Sequence, residues 1–175
     1  MINEPGPEHS VWLLPEAQVL AALQEEIRAL SAGGDQPVFC PHVTVAGDLA
    51  GRPENTARIC RALFADTGPV AVRVTDAEVG ETFFMSLFLR LEVPGLLRAR
   101  HSDLYAELKK PSVDPWQPHI SLAYGMAADD RRAQTRARLA GAFKGARFHL
   151  TDLVVARSPS TLPIASWSGL NRIRL

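Results

Sequence analysis

The chain has 175 residues, 46% of them hydrophobic, and its 19 basic and 19 acidic residues give a formal net charge of zero. That length suits one domain, or two small lobes on a shared core, and the neutral balance argues against the broad basic footprint needed to grip duplex DNA. No stretch approaches the ~18 apolar residues of a membrane span, and MINEPGPEHSVWLLPEA lacks a basic start before an apolar run, so a cytoplasmic protein without a membrane partner is expected.

His9 to Leu14 is a short apolar run stopped by Pro15, and reads as a strand. Val19, Leu20, Leu23, Ile27 and Leu30 then recur at three- and four-residue steps, which predicts an amphipathic helix ending at Gly33-Gly34. The stretch PHVTVAG follows at 41–47, then a helix over 53–65 with Pro53 in its first turn and Gly68 beyond its end. Strands are predicted over 70–79 and 83–93, and a helix over 95–109. The loop KPSVDPW at 110–116 is placed to cover a cleft, with Asp114 as a turn residue. PHISLAYG occupies 118–125, and a helix over 129–143 and strands over 147–156 and 166–175 complete the chain. Arg131, Arg132, Arg136 and Arg138 read as a solvated helix face. Cys40 and Cys60 form no C-x-x-C pair, and two are too few for a disulfide framework, so both are expected as reduced thiols.

PHVTVAG and PHISLAYG are nearly the same sentence, and their histidines stand 77 positions apart, close to half the chain. This spacing points to an internal duplication. Side chains two apart on a strand share a face, so His42 and Thr44 point one way and Val43 and Val45 the other. His119 and Ser121 divide from Ile120 and Leu122 in the same manner. With five histidines in the chain, one H-x-T/S is a weak signal, and His149-Leu150-Thr151 also fits the short pattern. It lacks the proline, however, and His149 is assigned to a solvent face. The longer agreement singles out the other two.

Two imidazoles and two hydroxyls suit phosphoester chemistry without a metal. A neutral imidazole takes a proton from water, a charged one gives a proton to a departing alkoxide, and the hydroxyls donate to phosphoryl oxygens. A metal site built from Cys40, His42 and His119 is disfavoured, because no further ligand stands at a recognisable spacing. No cofactor is expected.

Two H-x-T/S motifs, one per half, resemble the signature of the two-histidine phosphoesterase superfamily, within which the plant and fungal type of cyclic phosphodiesterase is most similar. SVWLLP at 10–15, FCPHVTV at 39–45, GETFF at 80–84 and PHISLAY at 118–124 carry the likeness along nearly the whole chain. The resemblance implies a single α/β (α+β) domain over 1–175, bilobed and pseudo-twofold, with two antiparallel sheets facing across a cleft and helices outside. It makes His42 and His119 the proton-transfer pair, and Thr44 and Ser121 the phosphate binders. Tyr124 becomes a phosphate-site tyrosine, and Trp12 and Phe84 become aromatic walls. Tyr124 lies five positions from His119, so a bulge or strand end must turn it to the same face. The implied substrates are ADP-ribose 1″,2″-cyclic phosphate and nucleoside 2′,3′-cyclic phosphates, opened by a monomer. The alternatives are an enzyme acting on RNA 2′,3′-cyclic ends, as RNA phosphodiesterase or 2′-5′ ligase, and a nucleotide-binding module without turnover. The neutral to acidic neighbours VAGDLAG and AYGMAADD favour the small substrate.

Overall fold

Every residue of the first strand, β1 (His9–Pro15), is buried, because β1 has a hydrogen-bonded neighbour on each side. The structure, a computed structural model, describes residues 8–111, 115–159 and 161–175. The other elements are α1 (Ala17–Ala32), β2 (Val43–Leu49), α2 (Pro53–Phe64), β3 (Val70–Glu78), β4 (Leu87–Glu92), α3 (Gly95–Glu107), β5 (His119–Ala123), α4 (Asp130–Phe143), β6 (Arg147–Arg157) and β7 (Ser168–Arg174). Leu23, Ile27 and Leu30 form the buried stripe of α1, as the three- and four-residue steps require. Pro53 opens α2, where its missing N–H costs nothing. The Asp129 carboxylate caps α4 by accepting from the Arg132 backbone N–H at 2.9 Å.

The seven strands among the described residues form one antiparallel sheet in the order β1-β2-β5-β4-β3-β6-β7, and an additional β1–β6 pairing closes it into a barrel-like ring. Where the resemblance implies two separate sheets, hydrogen bonds run continuously through both halves. The cause is the long β6, which pairs with β1 along 150–157 and shares its other edge between β3, at 147–150, and β7, at 152–157. The two motif strands meet at one register pair, Val43 opposite Ile120. The helices cover the outside, with α1 against β1 and β5, α4 against β3 and β4, α3 against β2, and α2 against α3.

Two local expectations are corrected. Residues Phe83–Met85 form a short 3-10 turn instead of starting a strand, and β4 begins at Leu87. The carbonyl of Phe83 accepts from the Gly125 N–H at 2.8 Å and that of Phe84 from the Ser121 hydroxyl at 2.9 Å, so this turn is tied to the end of β5 by its carbonyls. The arginines of α4 are not a merely solvated face. Arg132 donates to the Gly80 carbonyl at 3.1 Å, Arg136 to the Ala77 carbonyl at 2.7 Å and Arg131 to the Leu30 carbonyl at 3.3 Å, while Arg138 pairs with Glu26 of α1. A helix packed across the end of β3 and the last turn of α1 meets carbonyls there, and long guanidinium side chains donate to them. Ser112, Val113 and Asp114 of the covering loop lie outside the described residues. No helix among the described residues is long and apolar enough to cross a membrane.

Candidate active site

Both motif strands bury their aliphatic residues and turn their polar ones to a shared space. Val43, Val45, Ile120 and Leu122 are at most 1% exposed, whereas His42, Thr44, His119 and Ser121 line one cavity of about 330 Å³. Period-two alternation is sufficient for this division. His149 lies outside that cavity, exposed on β6, where it pairs with Ala71 of β3.

Each imidazole is held by the same device. His42 donates through Nδ1 to the Cys40 carbonyl at 2.7 Å, and His119 donates through Nδ1 to the Gln117 carbonyl at 2.8 Å. A carbonyl can only accept, so Nδ1 carries a proton in both rings and Nε2 is the nitrogen available to a substrate. The repeated proline explains the repeated clamp. Pro41 and Pro118 confine Cys40 and Gln117 to extended backbone and offer no N–H of their own, which leaves the carbonyl before each proline facing back to the ring.

The surroundings of the two rings differ. Trp12 stacks flat on His42, with ring centroids 3.9 Å apart and planes 15° from parallel. Burial lowers the His42 pKa from 6.5 to about 4, its hydrogen bond to Cys40 opposes this, and the neighbouring His119 adds to the depression. His119 is half-buried, and its pKa is also lowered, by burial first, with the Gln117 hydrogen bond opposing, Arg90 lowering it further and Glu78 raising it. His42 is therefore neutral at rest, its Nε2 lone pair open to a proton, and His119 is the more easily charged of the two.

Tyr124, Trp12 and Phe84 also line the cavity. Tyr124 reaches it because β5 ends at Ala123 and the register slips between Leu87 and Phe88 of β4, and Gly125 then turns with φ of 65°. That glycine is required, since a Cβ there would stand 2.5 Å from the Phe83 ring. Tyr124 stacks on Phe39 at 3.9 Å, and burial holds its hydroxyl well above the usual tyrosine range, so it remains a donor beside Ser121. Phe84 is 43% exposed, which leaves its ring open to a ligand. Trp12 by contrast has its face taken by His42.

Trp167 is a wall residue that the sequence reading missed. It lines the same cavity, near-parallel to Phe84 at 6.1 Å and tilted against Trp12 at 6.1 Å, and its indole N–H donates to the Pro159 carbonyl. It follows a 3-10 turn in SWSGL, where neither periodicity nor motif marks it. Among the described residues on the cavity wall none is Lys or Arg, and Asp48 is there. No group of three or more His, Cys, Asp or Glu among the described residues is arranged to hold a metal ion. Cys40 and Cys60 are both free thiols.

A closed antiparallel sheet with outer helices brings two histidines, one just before β2 and one opening β5, onto one cavity. The chain belongs to the 2′-5′ RNA ligase superfamily, whose sequence model matches residues 53–161, a span that includes the second motif and begins after the first. The two-histidine resemblance read from the sequence thus holds. A curated relative, the cyclic phosphodiesterase of Arabidopsis thaliana, is 24% identical over 153 residues, covering 86% of this chain and 84% of the relative. Among solved structures, TT0787 of Thermus thermophilus superposes with a TM-score of 0.61 at 20% identity, covering 96% of this chain and 97% of that one. LigT of E. coli complexed with 3′-AMP gives 0.60 at 18% identity, covering 98% and 99%. These likenesses establish the fold, and the family is one of phosphoesterases and ligases.

Proposed function

We propose that this protein hydrolyses a small cyclic phosphodiester, ADP-ribose 1″,2″-cyclic phosphate or a nucleoside 2′,3′-cyclic phosphate, without a metal. The observation that carries the reading is the pair of identically clamped imidazoles on one cavity, each with Nε2 available. A cyclic phosphodiester carries a single negative charge and a strained ring, so proton transfer and hydrogen bonding suffice for its opening.

His42 acts as base and His119 as acid. Water attacks phosphorus as Nε2 of neutral His42 takes its proton. The P–O bond to one ribose oxygen breaks, and charged His119 delivers the proton from Nε2 to that oxygen. The product is a phosphate monoester, and solvent exchange returns both rings to their starting states. Thr44 and Ser121 donate to the phosphoryl oxygens, with the Ser121 hydroxyl turning from the Phe84 carbonyl to do so. Tyr124 adds a donor, and the open Phe84 ring with Trp167 offers a surface for a base. A wall with Asp48 and no Lys or Arg among its described residues supports a small substrate over an RNA end, and among small substrates it favours the singly charged nucleoside 2′,3′-cyclic phosphate.

The curated cyclic phosphodiesterase relative supports the reading at the level of reaction class. Phosphorus NMR of ADP-ribose 1″,2″-cyclic phosphate and of 2′,3′-cyclic AMP incubated with the protein tests it. A monoester resonance growing in place of the cyclic one, and absent with His42→Ala, is expected. Binding of both compounds without any new resonance would identify a nucleotide-binding module instead.

A further inference from the structure

On β4, directly opposite His119 in the register with β5, stands Arg90. Its guanidinium joins three groups. Nη1 donates to the Gln117 side-chain oxygen at 2.9 Å, and Gln117 is the residue whose carbonyl clamps His119. The guanidinium carbon sits 5.1 Å from the centre of the Phe88 ring, and Phe88 meets His119 edge-on at 5.1 Å. Nε and Nη2 donate to the Glu78 carboxylate, the shortest contact being 2.8 Å. Arg90 itself is not on the cavity wall.

We propose that Arg90 is a positioning residue for the reaction, holding the His119 ring through Gln117 and Phe88 while Glu78 holds Arg90. A planar fork can bond Glu78 and Gln117 together while lying near the Phe88 ring, and a lysine ammonium, a point charge, cannot do all three. Among the described residues the first motif has no such brace. There Cys40 stands in the place of Gln117, without an amide to be held, and Trp12 steadies the ring by stacking.

The same geometry sets a charge balance at His119. Arg90 approaches from β4 and Glu78 from β3. His42 and Asp48 face the ring across the cavity, and His101 and Tyr105 of α3 line the groove on its other side. Arg90 lowers the proton affinity of His119 and Glu78 raises it, after the larger effect of burial. Removing the cation leaves the anion unopposed, so the ring should hold its proton to higher pH.

The acid role of His119 rests on the function proposed above, whereas the hold on its ring does not, and the test separates them. The imidazole resonances of His119 are titrated by NMR in wild type, Arg90→Met, Arg90→Lys and Glu78→Gln, beside kcat and KM for 2′,3′-cyclic AMP. In Arg90→Met the His119 titration should move up in pH, with kcat down about 10-fold and KM within a few-fold. In Arg90→Lys the titration should remain close to wild type while kcat still falls, because the charge is kept and the fork is lost. Glu78→Gln should move the titration down. The proposal is overturned by an unmoved His119 titration in Arg90→Met, by full kcat in Arg90→Lys, or by a loss confined to KM, which would make Arg90 a substrate contact. Shifted titrations in a protein that turns over none of the cyclic phosphates would support the hold of Arg90 on the ring and count against the function.

Discussion

The two copies of the motif agree in the clamp and differ in everything around it. His42 and His119 each follow a proline and each donate Nδ1–H to the carbonyl before it. His42 is then sealed under Trp12, while His119 sits half-open in a network of Arg90, Glu78 and Gln117. Acid–base chemistry needs this divergence, since a base must shed its charge and an acid must keep one near the same pH. The same frame occurs twice, and the neighbours give each copy its own proton affinity.

The largest test of the comparison removes either ring. His42→Ala and His119→Ala should each cost about 10²-fold or more in kcat, and the double variant far less than the product, because one proton path is lost in every case. Steady-state kinetics on the three variants checks it. Deleting a hydroxyl, as Thr44→Val or Ser121→Ala, should cost about 10- to 100-fold, since each removes one donor to the developing charge.

The pH profile sharpens the difference between the copies. His42 must be neutral, so kcat/KM should rise as pH climbs through about 4, and it should fall as His119 loses its proton below its usual 6.5. These limbs belong to the coupled pair. Trp12→Leu removes the stack, worth about 1 kcal/mol, and wets the His42 ring. Its pKa then climbs back, so the acid limb should move to higher pH while the alkaline limb stays, as a pH–rate profile would show.

Stability should follow the same asymmetry. An unfolded chain protonates its histidines below 6.5, but buried His42 refuses a proton until about 4. The native state therefore loses stability as pH falls through that window, by about 3 kcal/mol at 1.36 kcal/mol per pH unit of depression. Denaturant unfolding at several pH values should show the slope flattened in His42→Asn. The smallest effect is expected at His149→Ala, where turnover stays within a few-fold of wild type.

Much of the site was legible in the sequence because period-two alternation is a local rule. It placed His42 with Thr44 and His119 with Ser121, and it demanded the break after β5 that brings Tyr124 round. Long-range pairing was not legible. Nothing in the apolar run at His9 announces that β1 will pair with β6 and close the sheet. Trp167 reaches the cavity by the same route, through a strand paired to β6 and a turn without a motif. The aromatic pair at Phe83 and Phe84 looked like the start of a strand because β-propensity counts aromatics and ignores carbonyls already claimed by β5. In α4, charge density suggested solvent, and the carbonyls that its arginines find belong to distant residues.

The central claim, that two unlike histidines open a cyclic phosphodiester by proton transfer without a metal, is tested most directly by the pH–rate profile of protein stripped of metal with EDTA. Turnover of 2′,3′-cyclic AMP or ADP-ribose 1″,2″-cyclic phosphate should persist undiminished in EDTA, with a bell whose acid limb is lost to view in His42→Ala and whose alkaline limb is lost in His119→Ala. Turnover abolished by EDTA and restored by Mg²⁺ or Mn²⁺ would contradict it.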